Sequence, residues 1–106
     1  MENYELASLK MSQNEENWTL SFERAKLMVI HEYGTLSWYI DIDGISDEEL
    51  LNRFARSEEI AVAVRTVTIG GKNLNGDGYF HPNPAHRAAA IRGIGELEGY
   101  ASSPSR

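Results

Sequence analysis

The residues best equipped for chemistry are gathered in the second half of the chain. His81 and His86 stand around two prolines, Pro82 and Pro84, with Arg87 and Arg92 close behind and Arg65 and Lys72 upstream. Two imidazoles on a stiff loop could ligate a metal with Asp77 as third donor. Zinc sites take three or four ligands, however, and no further donor is local. A phosphate or carboxylate suits the set better, because arginine grips such groups through two parallel hydrogen bonds. Arg65, Lys72, Tyr79, His81, His86, Arg87 and Arg92 are therefore the residues expected to bind a small anionic or nucleotide-like ligand. No metal and no cofactor is expected.

Asn73-Leu74-Asn75-Gly76-Asp77-Gly78-Tyr79 matches the opening of a calcium loop of the D-x-[DN]-x-[DN]-G type. Such a loop closes on a bidentate glutamate at its twelfth position and needs several anionic oxygens. Pro84 occupies that position here, and Asp77 is the one carboxylate in the set. Strand signals flank the segment where helices should be. The calcium reading fails.

Catalysis finds little support. Asp41 and Asp43 could form a carboxylate pair with shifted pKa values, but alternate residues of this kind more often make the polar face of a half-exposed strand. Ser21 or Ser37 could pair with His31 as nucleophile and base, although nothing in the spacing favours it. The chain has no cysteine, no G-x-S-x-G, no phosphate loop and no H-E-x-x-H. A non-catalytic protein is expected.

The elements that would position these residues are mostly strands. Trp18, Leu20 and Phe22 alternate with polar residues, as do Leu36, Trp38, Ile40 and Ile42, and Leu27 to Ile30 is a short apolar run. With turns at Ala25-Lys26 and Gly34-Thr35, residues 17–43 predict a meander of three antiparallel strands. A strand over Tyr4 to Met11 precedes it. Ser46 with Glu49 reads as a capping box opening one helix, about 47–56, with Leu50, Leu51 and Phe54 on its apolar stripe. Residues 60–69 then predict a strand with Ile60, Val62, Val64, Thr66 and Thr68 on one face and Ala61, Ala63, Arg65, Val67 and Ile69 on the other. Gly70-Gly71 predicts a two-residue hairpin.

Beyond that hairpin, Leu74, Gly76, Gly78 and Phe80 share one face of a strand. Ile91, Gly93, Gly95, Leu97 and Gly99 share a face of another, about Ala89 to Tyr100, across the loop "HPNPAHRA". Pairing the two strands would bring Gly76, Gly78, Gly93 and Gly95 together. A patch without side chains lets a strand bend or bulge, or lets something flat approach the backbone. Two occupants fit: a core tryptophan, Trp18 or Trp38, or a planar ligand.

The whole is expected to be a single β-rich domain over residues 1–100, with residues 101–106 a disordered tail. The fold class is mainly antiparallel β: six or seven strands in a small barrel or two-layer sheet, with one short helix. Zero cysteines exclude a disulfide framework, and no apolar run is long enough to span a membrane. "MENYELASLK" carries no secretory pattern, so a cytoplasmic location is the default. Residues 1–60 hold 13 carboxylates against 5 cations, for −8, and residues 61–106 hold 3 against 5, for +2. The acidic balance argues against nucleic acid. The expected function is recognition of a partner protein, as an inhibitor or accessory factor, through the acidic N-terminal half. The anionic ligand is the alternative, and the aromatic surface is compatible with a homodimer.

Overall fold

A computed structural model describes residues 2–100. The strands are β1 (Glu2–Gln13), β2 (Glu16–Thr19), β3 (Arg24–Glu32), β4 (Thr35–Asp43), β5 (Ala61–Thr68), β6 (Asn73–Asn83) and β7 (Ala88–Glu98); one helix, α1 (Glu48–Ala55), separates β4 from β5. All pairings are antiparallel, in the order β2-β1-β3-β4-β7-β6-β5, and β5 returns to β1. Six strands therefore close a barrel and β2 is an extra one. Closure removes the sheet edges that would otherwise template aggregation. The expected residues 101–106 tail lies outside the described residues.

β1 makes closure possible. One of its edges pairs with β5 from Leu6 to Ser12, across a bulge between Leu6 and Ser8. Its other edge is shared, with Glu2–Glu5 against β3 and Lys10–Gln13 against β2. The three-strand meander expected over residues 17–43 is thus corrected. β3 pairs with β4 along its whole length, whereas β2 and β3 do not pair; they lie in line along β1. The break between them falls at residues 20–23, where Leu20 still bonds to Leu9 (N–H to O, 2.9 Å) before the chain loops out. Period-two patterning cannot register such a break, because the alternation continues through it.

Inward faces follow the alternation closely. Val62, Val64, Thr66 and Thr68 of β5, and Leu74, Gly78 and Phe80 of β6, are buried. They meet Leu9, Leu27, Ile40, Ile42 and Ile91, all at most 1% exposed, so side chains fill the barrel. Thr66 satisfies its hydroxyl on the Leu74 carbonyl at 2.7 Å. The β5–β6 hairpin is one residue longer than expected. Thr68 and Lys72 bracket Ile69-Gly70-Gly71, and Gly71 alone adopts positive φ, +93°. The prolines do not end β6 as expected either. Phe80 donates its N–H to Ile60 on the β5 side, so Pro82, two residues on, faces past the end of β5 where no donor is needed.

The helix starts one residue later than its capping box implied. Ser46 gives its N–H to the Ser21 carbonyl (3.2 Å), which holds it in the preceding loop, and Asp47 caps instead, accepting from the Leu50 N–H at 3.0 Å. Leu50, Leu51 and Phe54 are buried. Phe54 packs between Trp18 and Phe80, with ring centroids 5.6 and 4.9 Å away, and Arg53 forms an ion pair with Glu16. These contacts seat the helix on β2 and β6.

The glycine patch is covered from within. Trp38 of β4 stands one residue beyond the last β4–β7 pair, Tyr39 with Arg92, and so next to Gly93, which pairs with Gly78 of β6. Its indole is 2% exposed. A Cβ on Gly76 would come within 2.7 Å of Trp38 Cζ2, and one on Gly93 within 2.6 Å of Nε1. Of the two occupants the sequence admitted, the core tryptophan holds the floor.

Gly93→Ala should cost at least about 2 kcal/mol by overpacking, and Trp38→Ala about 3–5 kcal/mol. In the Trp38→Ala background, Gly93→Ala should cost far less. Chemical denaturation of the four proteins of this cycle measures the coupling, and additive losses would show that the indole does not rest on Gly93.

Candidate functional site

The seven residues expected to bind an anion do not form one group. Tyr79, His81 and Arg92 do lie together on the outer wall, since Tyr79 and Arg92 are cross-strand partners and His81 sits opposite Ala90. His81 and Arg92, with Tyr39 and the small Ala90, line a shallow depression of about 500 Å³ shared with Ser37, while Tyr79 lines a different one. A second depression of about 470 Å³ continues it past His81 to Asp41 and Asp43. His81 is thus a strand residue and not a loop one. His86 lies in a 3₁₀ turn beyond the strand, and Arg87, at φ +51°, pairs with Glu48 at 2.6 Å. Lys72 sits at the other end of the barrel, its ammonium 5.4 Å from the Tyr4 ring centroid. Arg65 faces out from β5, opposite Asn75 and Lys10.

The remaining chemistry-bearing residues resolve individually. Asp41 and Asp43 stand directly opposite Lys26 and Arg24, an arrangement that stabilises a sheet face by opposite charge. His31 bonds to the Tyr100 hydroxyl at 2.8 Å, with no serine as its partner. Among the described residues no group of three or more His, Cys, Asp or Glu is placed to hold a metal ion.

The face with the most unusual surface is the outer wall of β5, β6 and β7. Strand alternation turns Ala61 and Ala63 outward from β5, Tyr79 from β6 and Ile94 from β7. Tyr79 is 42% exposed and Ile94 40%. Register places Asp77 between Ala63 and Ile94, and Tyr79 beside Ala61. Together with Glu58, Glu59 and the Gln13 turn they line a depression of about 790 Å³. An adjoining hollow of about 570 Å³ shares Ala63, Asp77 and Ile94 and adds Arg65, Glu96 and Glu98. This second hollow follows from an irregularity in β7, where three residues, 95–97, stand opposite Gly76 alone. Gly95 takes φ +71° there with open space on its side-chain position. The wall is therefore an apolar strip of one aromatic, one branched and two small side chains, interrupted by Asp77, with Glu58, Glu59, Glu96 and Glu98 around it and two arginines, Arg65 and Arg92, at its margins.

Sequence reasoning found Tyr79 in this wall and missed Ala61, Ala63 and Ile94. Alternation put Ala61 and Ala63 on one face without saying that it points outward, and only the β5–β6–β7 register places them in the rows of Tyr79 and Ile94.

At the opposite end, a hydrogen-bonded cluster joins the first strand to the residue after the last. The Tyr4 and Tyr100 hydroxyls both donate to the Glu2 carboxylate, at 2.7 and 2.8 Å. Because Tyr100 gives its proton to Glu2, it accepts from His31 Nε2. The bond from Tyr4, then that from Tyr100, holds the Glu2 carboxyl below the usual carboxylate range. Loss of solvent, reinforced by the bond to Glu2, pushes Tyr100 up to about 12, and the bond to Glu2 raises Tyr4. The signs fix two limbs. The Glu2 contribution to stability is present above the ordinary carboxylate range and lost as pH falls through its lowered value. The Tyr100 contribution is complete below the ordinary tyrosine range and lost as pH rises toward about 12. Tyrosinate absorbance should show Tyr100 as a late-ionising residue among the five tyrosines. Glu2→Gln should move that transition to lower pH, and an unchanged titration curve would exclude the cluster.

Compared with known proteins, the chain matches no family model, no curated protein and no solved structure.

Proposed function

We propose that this protein is a non-catalytic binding protein that engages a partner protein through the outer wall of β5, β6 and β7. One observation carries the reading: Tyr79 and Ile94 stand exposed at diagonal positions of β6 and β7, Tyr79 beside Ala61 and Ile94 across Asp77 from Ala63, in a depression that Glu58 and Glu59 also line. Tyrosine is among the side chains that dominate binding energy at protein interfaces, and a solvated apolar strip is where such energy is available. The packed interior supports the same view, because an occupied barrel leaves its outside for recognition.

The rim defines the partner's chemistry. Asp77 sits within the apolar strip, Glu58 and Glu59 line the same depression, and Glu96 and Glu98 extend the acidic border. A partner segment carrying lysines or arginines around an aromatic or branched residue meets both features. The charges would steer encounter, and the apolar contact would hold the complex. The wall thereby refines the expected acidic surface, moving it from the N-terminal half to a face built by three strands of the C-terminal half.

Amide chemical shifts should be followed while the protein is titrated with a peptide alternating lysine with leucine and phenylalanine. A glutamate counterpart serves as control. The basic peptide should perturb Ala61, Ala63, Asp77, Tyr79 and Ile94, with affinity falling as salt rises. Tyr79→Ala should weaken it by about 2 kcal/mol, roughly thirtyfold. Perturbation confined to the Tyr39–Arg92 depression, or equal response to the acidic peptide, would overturn the proposal.

A further inference from the structure

A second and chemically opposite site lies one strand away. Lys10 of β1 and Arg65 of β5 are cross-strand partners on the outer face, both exposed. Like charges directly opposite one another destabilise a sheet. Elsewhere on this barrel the pattern is the reverse, with Arg24 opposite Asp43 and Lys26 opposite Asp41. Arg53 and Arg87 have their own carboxylates, and among the described residues neither Lys10 nor Arg65 forms an ion pair.

The two cations overlook a depression of about 220 Å³ between β2, β1 and β5. Register fixes what surrounds them: Thr19 stands opposite Lys10, and Asn17 opposite Ser12. Two hydroxyls and an amide thus face the same hollow, each able to donate a hydrogen bond, and no carboxylate lines it. We infer that this hollow is an oxyanion site for a phosphate group, with Lys10 and Arg65 supplying the charge and Ser12, Asn17 and Thr19 the neutral donors. Arginine offers paired donors to two phosphate oxygens while lysine acts as a point charge. A bound dianion would convert the like-charge pair from a cost into an attraction. The site shares Ser12, Ala63 and Arg65 with the depressions of the neighbouring wall, whereas Lys10, Asn17 and Thr19 belong to it alone, so Lys10 is the residue that separates phosphate binding from partner binding there.

The test is a titration of the full chain with inorganic phosphate, and separately with glycerol 3-phosphate, at constant ionic strength set with sodium chloride. Saturable amide shifts at Lys10, Ser12, Asn17, Thr19 and Arg65 are expected. Lys10→Gln and Arg65→Gln should each weaken binding about tenfold or more. Tighter binding of the ester identifies a small organic phosphate, and equal binding identifies the free ion. A second readout is thermal: without phosphate and at low salt, Lys10→Gln should raise Tm by relieving repulsion, and a given phosphate concentration should raise the Tm of the wild type more than that of the variant. Absence of saturable shifts, or a wild-type Tm indifferent to phosphate, would overturn the site.

Discussion

The Trp38 indole lies on ground that two neighbouring strands leave bare, and much of the barrel's shape follows from that contact. A buried tryptophan removes some 150–250 Å² from water, a gross gain of about 4–6 kcal/mol at 25 cal/mol per Å². The two glycines that make its bed, Gly76 and Gly93, each weaken a strand by about 0.5–1 kcal/mol. The indole therefore outweighs the backbone it requires. Its Nε1 also donates to the Gly95 carbonyl at 3.3 Å, inside the segment where β7 departs from regular pairing. The same side chain that fills the interior thus anchors the irregularity whose outer side is the hollow beside Ile94. Core and surface are two sides of one packing solution.

A second constraint is topological. β1 must serve β5 on one edge and two successive segments on the other, which it does by bulging between Leu6 and Ser8. The two in-line segments, β2 and β3, leave a break that needs cover. The helix supplies it, with Phe54 against Trp18, Arg53 on Glu16 and the Ser46 N–H on Ser21. At the far end the Glu2 cluster performs the equivalent task with hydrogen bonds, tying β1 to Tyr100 just beyond β7 and to His31 of β3. One end is sealed by apolar packing and the other by polar contacts between distant parts of the chain.

How much of this was legible depended on the range of the interaction. Strand identity and the division of residues between two faces come from residue alternation, a local signal, and the groupings of β5 and β6 match the buried and exposed rows. The pairing of the two glycine-bearing strands was also legible, because Gly78 and Gly93 are direct partners. What failed was non-local. The in-line placement of β2 and β3 depends on β1, and the continuation of β6 through Pro82 depends on β5 having ended. The cap on Asp47 depends on Ser46 being held by Ser21. The binding residues failed for a related reason: proximity along the chain grouped His81, His86, Arg87 and Arg92, whereas strand register separates them.

Charge shows the difference between sequence and surface most clearly. The N-terminal half carries most of the carboxylates, yet many already have work inside the fold. Glu2 receives two tyrosines, Glu16 holds Arg53, Glu48 holds Arg87, Asp47 caps the helix, and Asp41 and Asp43 face cations across β3. The C-terminal half is net positive, but its three carboxylates, Asp77, Glu96 and Glu98, all fall on one wall with Glu58 and Glu59. Arg65 and Arg92 are the cations on that wall, and the cross-strand neighbour of Arg65 on its other side is another cation. The barrel thus sorts charges that alternate along the chain into an acidic apolar face and an adjoining basic hollow. Such a sorting cannot arise from counting residues in either half, because it exists only once β1, β5, β6 and β7 are set side by side.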